Sequence, residues 1–480
     1  MANKLIMAAL ALLIAAALVT VTPQPENYTG RRESINAAVS PVLNREAKLY
    51  MEWGSKTIAE MELVEAAGWE EERRLEPHGS AAALFVLYAG YRGGPNSFAV
   101  VGLGFKPLYL FAEPEFECFW VPAGGVEVKS KDAYAMLPDY GFGRVYTTVV
   151  INCTFDQGVG SVDGGQLVLV AYHGDDEERA PERFVALTED GNAYNASTAY
   201  DAVAPYSYQY EYLYCGSPLY GNVNAQRMRE WMAYHAWLFG PKSHFVFHDA
   251  GGMHAEVRAV LEPWQRLGYV SVQNVTRQAE FDAYYYNQFL INNDCLHRTK
   301  FLANWTFFFD VDEFIYIAPH LTFATVMNWF RNATMLRFAQ LRMSDMLCQD
   351  NVTSTTTSVD NIAGSRAWAF EKLVYGETIR DMKYAVQARQ VYATGVHYSQ
   401  VELGHMEGEV GWANWSDLRF YHYHNTINKD GDTCQVFAGN ATSYASYEGS
   451  SLQLDTSMLP LGPLVKKFEQ ETIGVRGPSL

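Results

Sequence analysis

The chain has 480 residues, 49% of them hydrophobic and 19% charged, which is ample material for two or three folded domains. Its net charge of −18 argues against a nucleic-acid phosphate partner. Aromatic residues reach 14%, with 31 Tyr and 11 Trp, an excess suited to surfaces that stack on sugar rings.

Lys4 precedes an unbroken apolar stretch from Leu5 to Val19. Its length and alanine content fit a cleaved signal peptide or a signal anchor, with Met1 to Lys4 as a minimal cytosolic tail. Residues 1–22 are therefore expected to lead the chain into the secretory pathway, with the rest lumenal or extracellular. Sequons at Asn27, Asn152, Asn195, Asn274, Asn304, Asn332, Asn351, Asn414 and Asn440 agree with that compartment, as do 6 Cys, an even number. Cys118 and Cys153 stand apart from Cys215, Cys295, Cys348 and Cys434, which predicts pairing within each group. The absence of Cys-x-x-Cys spacing argues against structural zinc.

Residues 23–75 read as a stem. From 76 to 205, short apolar runs such as Ala81 to Tyr88, Ser97 to Leu103, Arg144 to Ile151 and Gln166 to Tyr172 alternate with Gly/Pro turns. That spacing predicts an all-β sandwich, either a packing spacer or a carbohydrate-binding module.

After about residue 205 strands and helices alternate. Tyr210 to Cys215, His244 to His248 and Tyr269 to Gln273 read as strands. Asn222 to Phe239, His254 to Leu267 and Phe281 to Phe301 read as helices, the first with an apolar stripe at Met228, Trp231, Met232, His235 and Leu238. This order predicts an α/β, Rossmann-like, mostly parallel sheet over 206–480. Asp249 directly follows the second strand, where it serves either a nucleotide or a turn.

The next strand, Trp305 to Phe309, ends in Asp310-Val311-Asp312-Glu313. Side chains at i and i+2 of an extended segment share a face, so Asp310 and Asp312 can point at one spot past the strand's carboxyl end. Ligands of open α/β sheets bind there. Two hard oxygen ligands suit Mg²⁺ or Mn²⁺, with substrate phosphates completing the shell. Phe314 and Ile315 stand where a calcium loop needs a further ligand and Gly.

Cys215 to Gly221, Glu230 to His235, Gly240 to Asp249 and the Asp310 strand resemble glycosyltransferase family 92, as do Trp368 to Tyr375, Tyr392 to His397 and Tyr421 to Asn425. The resemblance spans about Tyr210 to Gly474. It implies a GT-A fold and inverting transfer of galactose from UDP-galactose to β-1,4-galactan, the side chain of pectic rhamnogalacturonan I. It also implies a type II anchor in the Golgi membrane and a carbohydrate-binding function for the β-rich region; a homodimer stays open. A metal on Asp310 and Asp312 would bridge the leaving diphosphate. The general base is expected to be Glu371, in the matched Trp368–Tyr375 segment, with Asp345 as second candidate. His397 is the expected third metal ligand, with His422 and His424 able to do the same work. Lys372, Arg380, Lys383 and Arg389 form a basic stretch that could grip the diphosphate. A pentose donor such as UDP-arabinopyranose, or a non-catalytic lumenal lectin, are the competing readings.

Overall fold

In the chain's first half, β-branched and aromatic runs punctuated by Gly and Pro fold as strands: β1 Glu76–His78, β2 Phe85–Arg92, β3 Ser97–Phe105, β4 Phe116–Pro122, β5 Val128–Lys129, β6 Asp132–Met136, β7 Tyr146–Thr154, β8 Gly165–Ala171 and β9 Glu182–Glu189. The computed structural model describes residues 72–79, 84–111, 114–160, 164–174, 179–191, 208–348, 367–400, 410–428, 436–438, 443–447 and 449–474. The targeting segment and nearly all of the stem lie outside these. Among the described residues no helix is long and apolar enough to cross a membrane.

The nine strands form two antiparallel sheets, ordered β1-β2-β3-β7-β6 and β5-β4-β8-β9. Phe85, Leu87, Phe98, Val100, Ile151, Trp120, Leu167 and Leu169 fill the space between them. The Cys118–Cys153 disulfide crosses that core from β4 to β7. The run Phe98-Ala99-Val100-Val101 is apolar without alternation because β3 is buried on both faces. Its second face is covered by the rest of the protein.

That second part contains β10 Tyr210–Cys215, α1 Ala225–Phe239, β11 Ser243–Asp249, α2 Ala255–Arg266, β12 Val270–Asn274, α3 Gln288–Arg298, β13 Ala303–Phe308, β14 Glu313–Ile317, β15 Met335–Met343, α4 Ala369–Lys372, β16 Tyr375–Val386, β17 Leu418–His422 and α5 Leu461–Ile473. The main sheet runs β12-β11-β10-β13-β16-β15-β17-β14. The first four strands are parallel, joined by crossover helices. α1 begins where Asn224 accepts the Arg227 N–H at 3.0 Å and stops at Gly240, whose φ is +78°.

The other half departs from a mostly parallel sheet. β16 runs antiparallel to β13 and β15, and β14 antiparallel to β17, so the whole is mixed. Only Phe309 to Asp312 separate β13 from β14, too few residues for the crossover that parallel neighbours need. β14 instead lies at the far edge.

The expected helix from Phe281 to Phe301 is also shorter. Tyr285, Tyr286 and Asn287 have φ of +58°, +55° and +59°, a left-handed conformation that no α-helix accommodates. The Asn287 amide holds this turn by donating to the carbonyls of Gln278 and Phe281. α3 starts only afterwards and is tied to the end of β10 by Cys215–Cys295. Cys348 is also disulfide-bonded, its partner lying outside the described residues. The Asn152 sequon sits on β7 with the residue buried.

The five-stranded sheet packs its outer face, Val86, Tyr88, Val101 and Leu103, against Leu290 and Ile291 of α3. Arg73 reaches the fully buried Asp294 of α3 at 3.2 Å, and Tyr91 of β2 donates to the same carboxylate. The described residues of the two parts therefore belong to one packed unit.

Candidate active site

β13 leaves the sheet after Phe308, and the backbone turns within four residues into β14. Trp231 of α1 holds this turn, its indole N–H donating to the Asp310 carbonyl at 3.2 Å and the Glu313 carbonyl at 2.8 Å. The Asp310 N–H donates to Glu313 Oε2 at 2.8 Å. His235, one turn along α1, accepts the Ile315 N–H at 3.3 Å while its Nδ1 faces the Trp231 carbonyl at 2.9 Å. Bulky apolar neighbours thus fix the backbone and leave Asp310 and Asp312 half-buried at the strand end.

Each carboxylate already has partners. Asp310 Oδ1 accepts from Gln288 Nε2 at 2.9 Å and Oδ2 from Lys383 Nζ at 2.8 Å. Lys383 is buried and lies 3.7 Å from Glu313 Oε2. Asp312 Oδ1 is 3.4 Å from His422 Nε2, and His422 Nδ1 is 3.7 Å from Glu313 Oε1 and 2.6 Å from Gln340 Nε2. The register explains the meeting, since His422 stands opposite Glu313 on one side and Arg342 on the other.

Charges are shared within this cluster. Burial pushes Glu313 up to about 8, more than Lys383 can offset. Burial alone would lower His422, but contact with Asp312 and the charge of Glu313 lift it to about 9. For Asp310, burial alone would raise the carboxyl, but Lys383, His422 and Gln288 together hold it below its usual range. Burial opposes charge on Lys383 too, yet Asp310 and Glu313 keep it protonated. The result is a paired carboxylate site with its own counter-charges.

The other candidate residues divide into two groups. His424 is half-buried, its ring 5.1 Å from that of His422, and it senses the charges of Asp312 and Asp345. Asp345 lies half-buried just past the end of β15. His397 is exposed, with Nδ1 3.1 Å from the Met382 carbonyl, and senses Lys383 and Asp310. His424 and His397 thus lie within electrostatic reach of the Asp pair, and Asp345 within reach of His424. The remainder are occupied elsewhere. Asp249 Oδ1 accepts the N–H groups of Gly251 and Met253 at 2.9 and 3.2 Å, and Oδ2 pairs with Arg258 at 2.5 Å, which builds the turn after β11. Glu371 Oε2 accepts the Trp368 N–H and the Lys466 ammonium, both at 2.6 Å, and Gly462 of α5 packs on the carboxylate too closely to admit a Cβ. Lys372 is the half-buried last residue of α4.

Sequence reasoning singled out Lys383 only as one of four bases and did not find Gln288. Lys383 immediately precedes Tyr384, which pairs with Phe308, so the antiparallel register delivers it to the turn after Phe308. Nothing local marks Gln288, which arrives through the docking of α3. At the rim, Tyr220 and Tyr285 sense both Asp310 and Asp312. Tyr284, Tyr285 and Tyr286 are 42%, 58% and 54% exposed.

The oxygens of Asp310 and Asp312, with His422 adjoining, are a donor set that suits a hard or borderline divalent cation. Among the described residues, however, no group of three or more His, Cys, Asp or Glu side chains is gathered for one. Lys383 supplies the positive charge beside Asp310.

Residues 210–457 match the model of glycosyltransferase family 92, a span that starts on the first residue of β10 and takes in Asp310, Asp312, Lys383 and His422. The chain belongs to glycosyltransferase family 92. It is 46% identical to galactan beta-1,4-galactosyltransferase GALS1 of Arabidopsis thaliana over 412 residues, covering 84% of this chain and 79% of that protein. To GALS2 of the same plant it is 42% identical, covering 84% and 77%. A beta-1,4-galactosyltransferase of Caenorhabditis elegans, galt-1, is 24% identical over 225 residues, 46% of this chain and 50% of that protein. The 412 residues shared with GALS1 exceed what this family 92 chain holds beyond residue 205, so the plant likeness extends into the two-sheet part.

Proposed function

We propose that this family 92 glycosyltransferase is an inverting β-1,4-galactosyltransferase of GT-A type that moves galactose from UDP-galactose to the end of a β-1,4-galactan chain, in the Golgi lumen. The observation that carries this is the Asp310–Asp312 turn at the end of a parallel strand, inside a chain alike to galactan synthases along 84% of its length. Asp310 and Asp312 would hold Mn²⁺ or Mg²⁺, which when bound neutralises the departing diphosphate. His422 and His424 face the same space and add positive charge or hydrogen bonds for the donor's phosphates.

The base we assign is Asp345 rather than Glu371. Asp345 lies half-buried just past β15, where its charge acts on His424, whereas the Glu371 carboxylate is engaged by the Trp368 N–H and the Lys466 ammonium. Its carboxylate takes the proton from the acceptor hydroxyl as that oxygen bonds to the anomeric carbon. The carbon–oxygen bond to UDP breaks from the opposite face and the electron pair leaves with UDP. The two-sheet part would hold galactan near the site and raise its effective concentration.

The test is incubation of the purified chain with UDP-galactose and β-1,4-galactobiose, with Mn²⁺ or with chelator, followed by linkage analysis. A new β-1,4-galactosyl bond formed only with metal supports the reading. No transfer from UDP-galactose, alongside transfer from UDP-arabinopyranose, overturns the donor assignment.

A further inference from the structure

Two turns of this protein hold aromatic rings out into solvent on a backbone that L-residues rarely adopt. One is Tyr284–Tyr286, with Tyr285 and Tyr286 left-handed. The other joins β6 to β7, where Tyr140 has φ of +52° and is 55% exposed, and Phe142 is 68% exposed. Neither turn is slack. Asn287 anchors the first. The fully buried Asp139 carboxylate anchors the second, accepting the N–H groups of Gly141 and Thr148 at 3.0 and 3.1 Å and the Thr147 hydroxyl. Unfavourable backbone and exposed apolar area both cost stability, and such strain gathers at ligand-binding sites.

The two turns are linked. Tyr285 packs on Tyr284 at 5.7 Å between ring centroids, and Tyr284 on Phe289 at 5.8 Å. The Phe289 ring lies beside Gly395, whose N–H donates to the Tyr398 carbonyl at 2.8 Å. The Tyr398 ring is 5.8 Å from that of Tyr140, which in turn meets Phe142 at 6.4 Å. The row thus starts on the turn just ahead of Gln288, which donates to Asp310 at 2.9 Å, and ends on the two-sheet part.

We infer that this row is the track along which the growing galactan chain lies, its galactose rings stacking on Tyr285, Tyr284, Tyr398, Tyr140 and Phe142 between the transfer site and the two-sheet part. The inference rests on the galactosyltransferase reading. A neutral polymer fits, because sugar C–H faces stack on aromatic rings while a net charge of −18 repels an acidic polysaccharide. Rings held rigidly bind without an ordering cost.

The test uses the full chain and β-1,4-galactopentaose with no donor present, titrated by calorimetry, together with the KM for pentaose and for galactobiose in the transfer assay. Tyr140→Ala with Phe142→Ala should weaken pentaose binding by about tenfold, the scale of a lost aromatic contact. It should raise the KM for pentaose far more than that for galactobiose. Phe142→Trp should preserve pentaose binding, and Trp329→Ala, exposed elsewhere, should leave both acceptors unaffected. Wild-type pentaose affinity in the double variant overturns the track, and so does an equal loss for both acceptors. Calorimetry reads the track even if UDP-galactose proves not to be the donor, so the two readings fail separately.

Discussion

The ammonium of Lys383 sits 2.8 Å from the half-buried Asp310 and 3.7 Å from the buried Glu313, bridging the two acids. Removing it strands negative charge in a dry place. The Lys383→Met variant should therefore lose about 3–5 kcal/mol of stability. Added Mn²⁺ should return part of that loss, because a divalent ion replaces the missing charge. Denaturant unfolding with and without Mn²⁺ measures both, and equal stability of variant and parent would refute the counter-charge role.

Asp310→Asn and Asp312→Asn address the metal directly. Each should lower transfer by about 100-fold or more, the scale of losing one well-placed electrostatic group. Each should also weaken Mn²⁺ binding measured by electron paramagnetic resonance, a readout that does not depend on turnover. Unaltered Mn²⁺ affinity in both variants would remove the metal from these carboxylates.

The two candidate bases should behave differently. Asp345→Asn is expected to lower kcat by about 10²–10⁴-fold with little change in melting temperature. Glu371→Ala is expected to cost about 1–3 kcal/mol of stability, since the Trp368 N–H and Lys466 lose their acceptor. A Glu371→Ala enzyme that is fully stable yet inactive would reverse the assignment.

Acid should weaken the fold before it reaches the carboxylates. Burial pushes His235 and His297 down to about 3 and His244 and His248 down to about 4. All four stay neutral when folded but take up protons when unfolded. Stability is therefore complete above about pH 6.5, the unfolded value, and falls as pH drops toward 3–4. His235 alone accounts for roughly 2 kcal/mol at pH 5. Melting temperature between pH 7 and pH 5 measures this, and the fall should shrink in a His248→Phe variant. A flat profile over that range would contradict it.

Much of the architecture was legible because local pattern and tertiary role agreed. Tyr210–Cys215 is a strand in both readings, and α1 to β12 lie within two or three residues of expectation. The turn that carries Asp310 and Asp312 was legible because the apolar run before it is a strand that ends at Phe308. What escaped depended on distant register or backbone sign. The left-handed turn at Tyr285–Asn287 breaks a run whose apolar spacing reads as one long helix. Lys383 and Gln288 lie 73 and 22 residues from Asp310, and no local period announces either. Glu371 attracted attention through its motif, where its carboxylate meets the Trp368 N–H and Lys466 of α5.

The docking of the five-stranded sheet on α3 bears on how this protein can be dissected. The helix that offers Gln288 to Asp310 also offers Leu290 and Ile291 to the neighbouring β layer. A cut near residue 205 would bare that greasy flank and leave Asp294 without Arg73 and Tyr91. Swapping the β layer between relatives would require carrying the helix along, and with it the Gln288 contact to Asp310. Changes in the β layer and changes at the Asp310 turn thus meet on one helix.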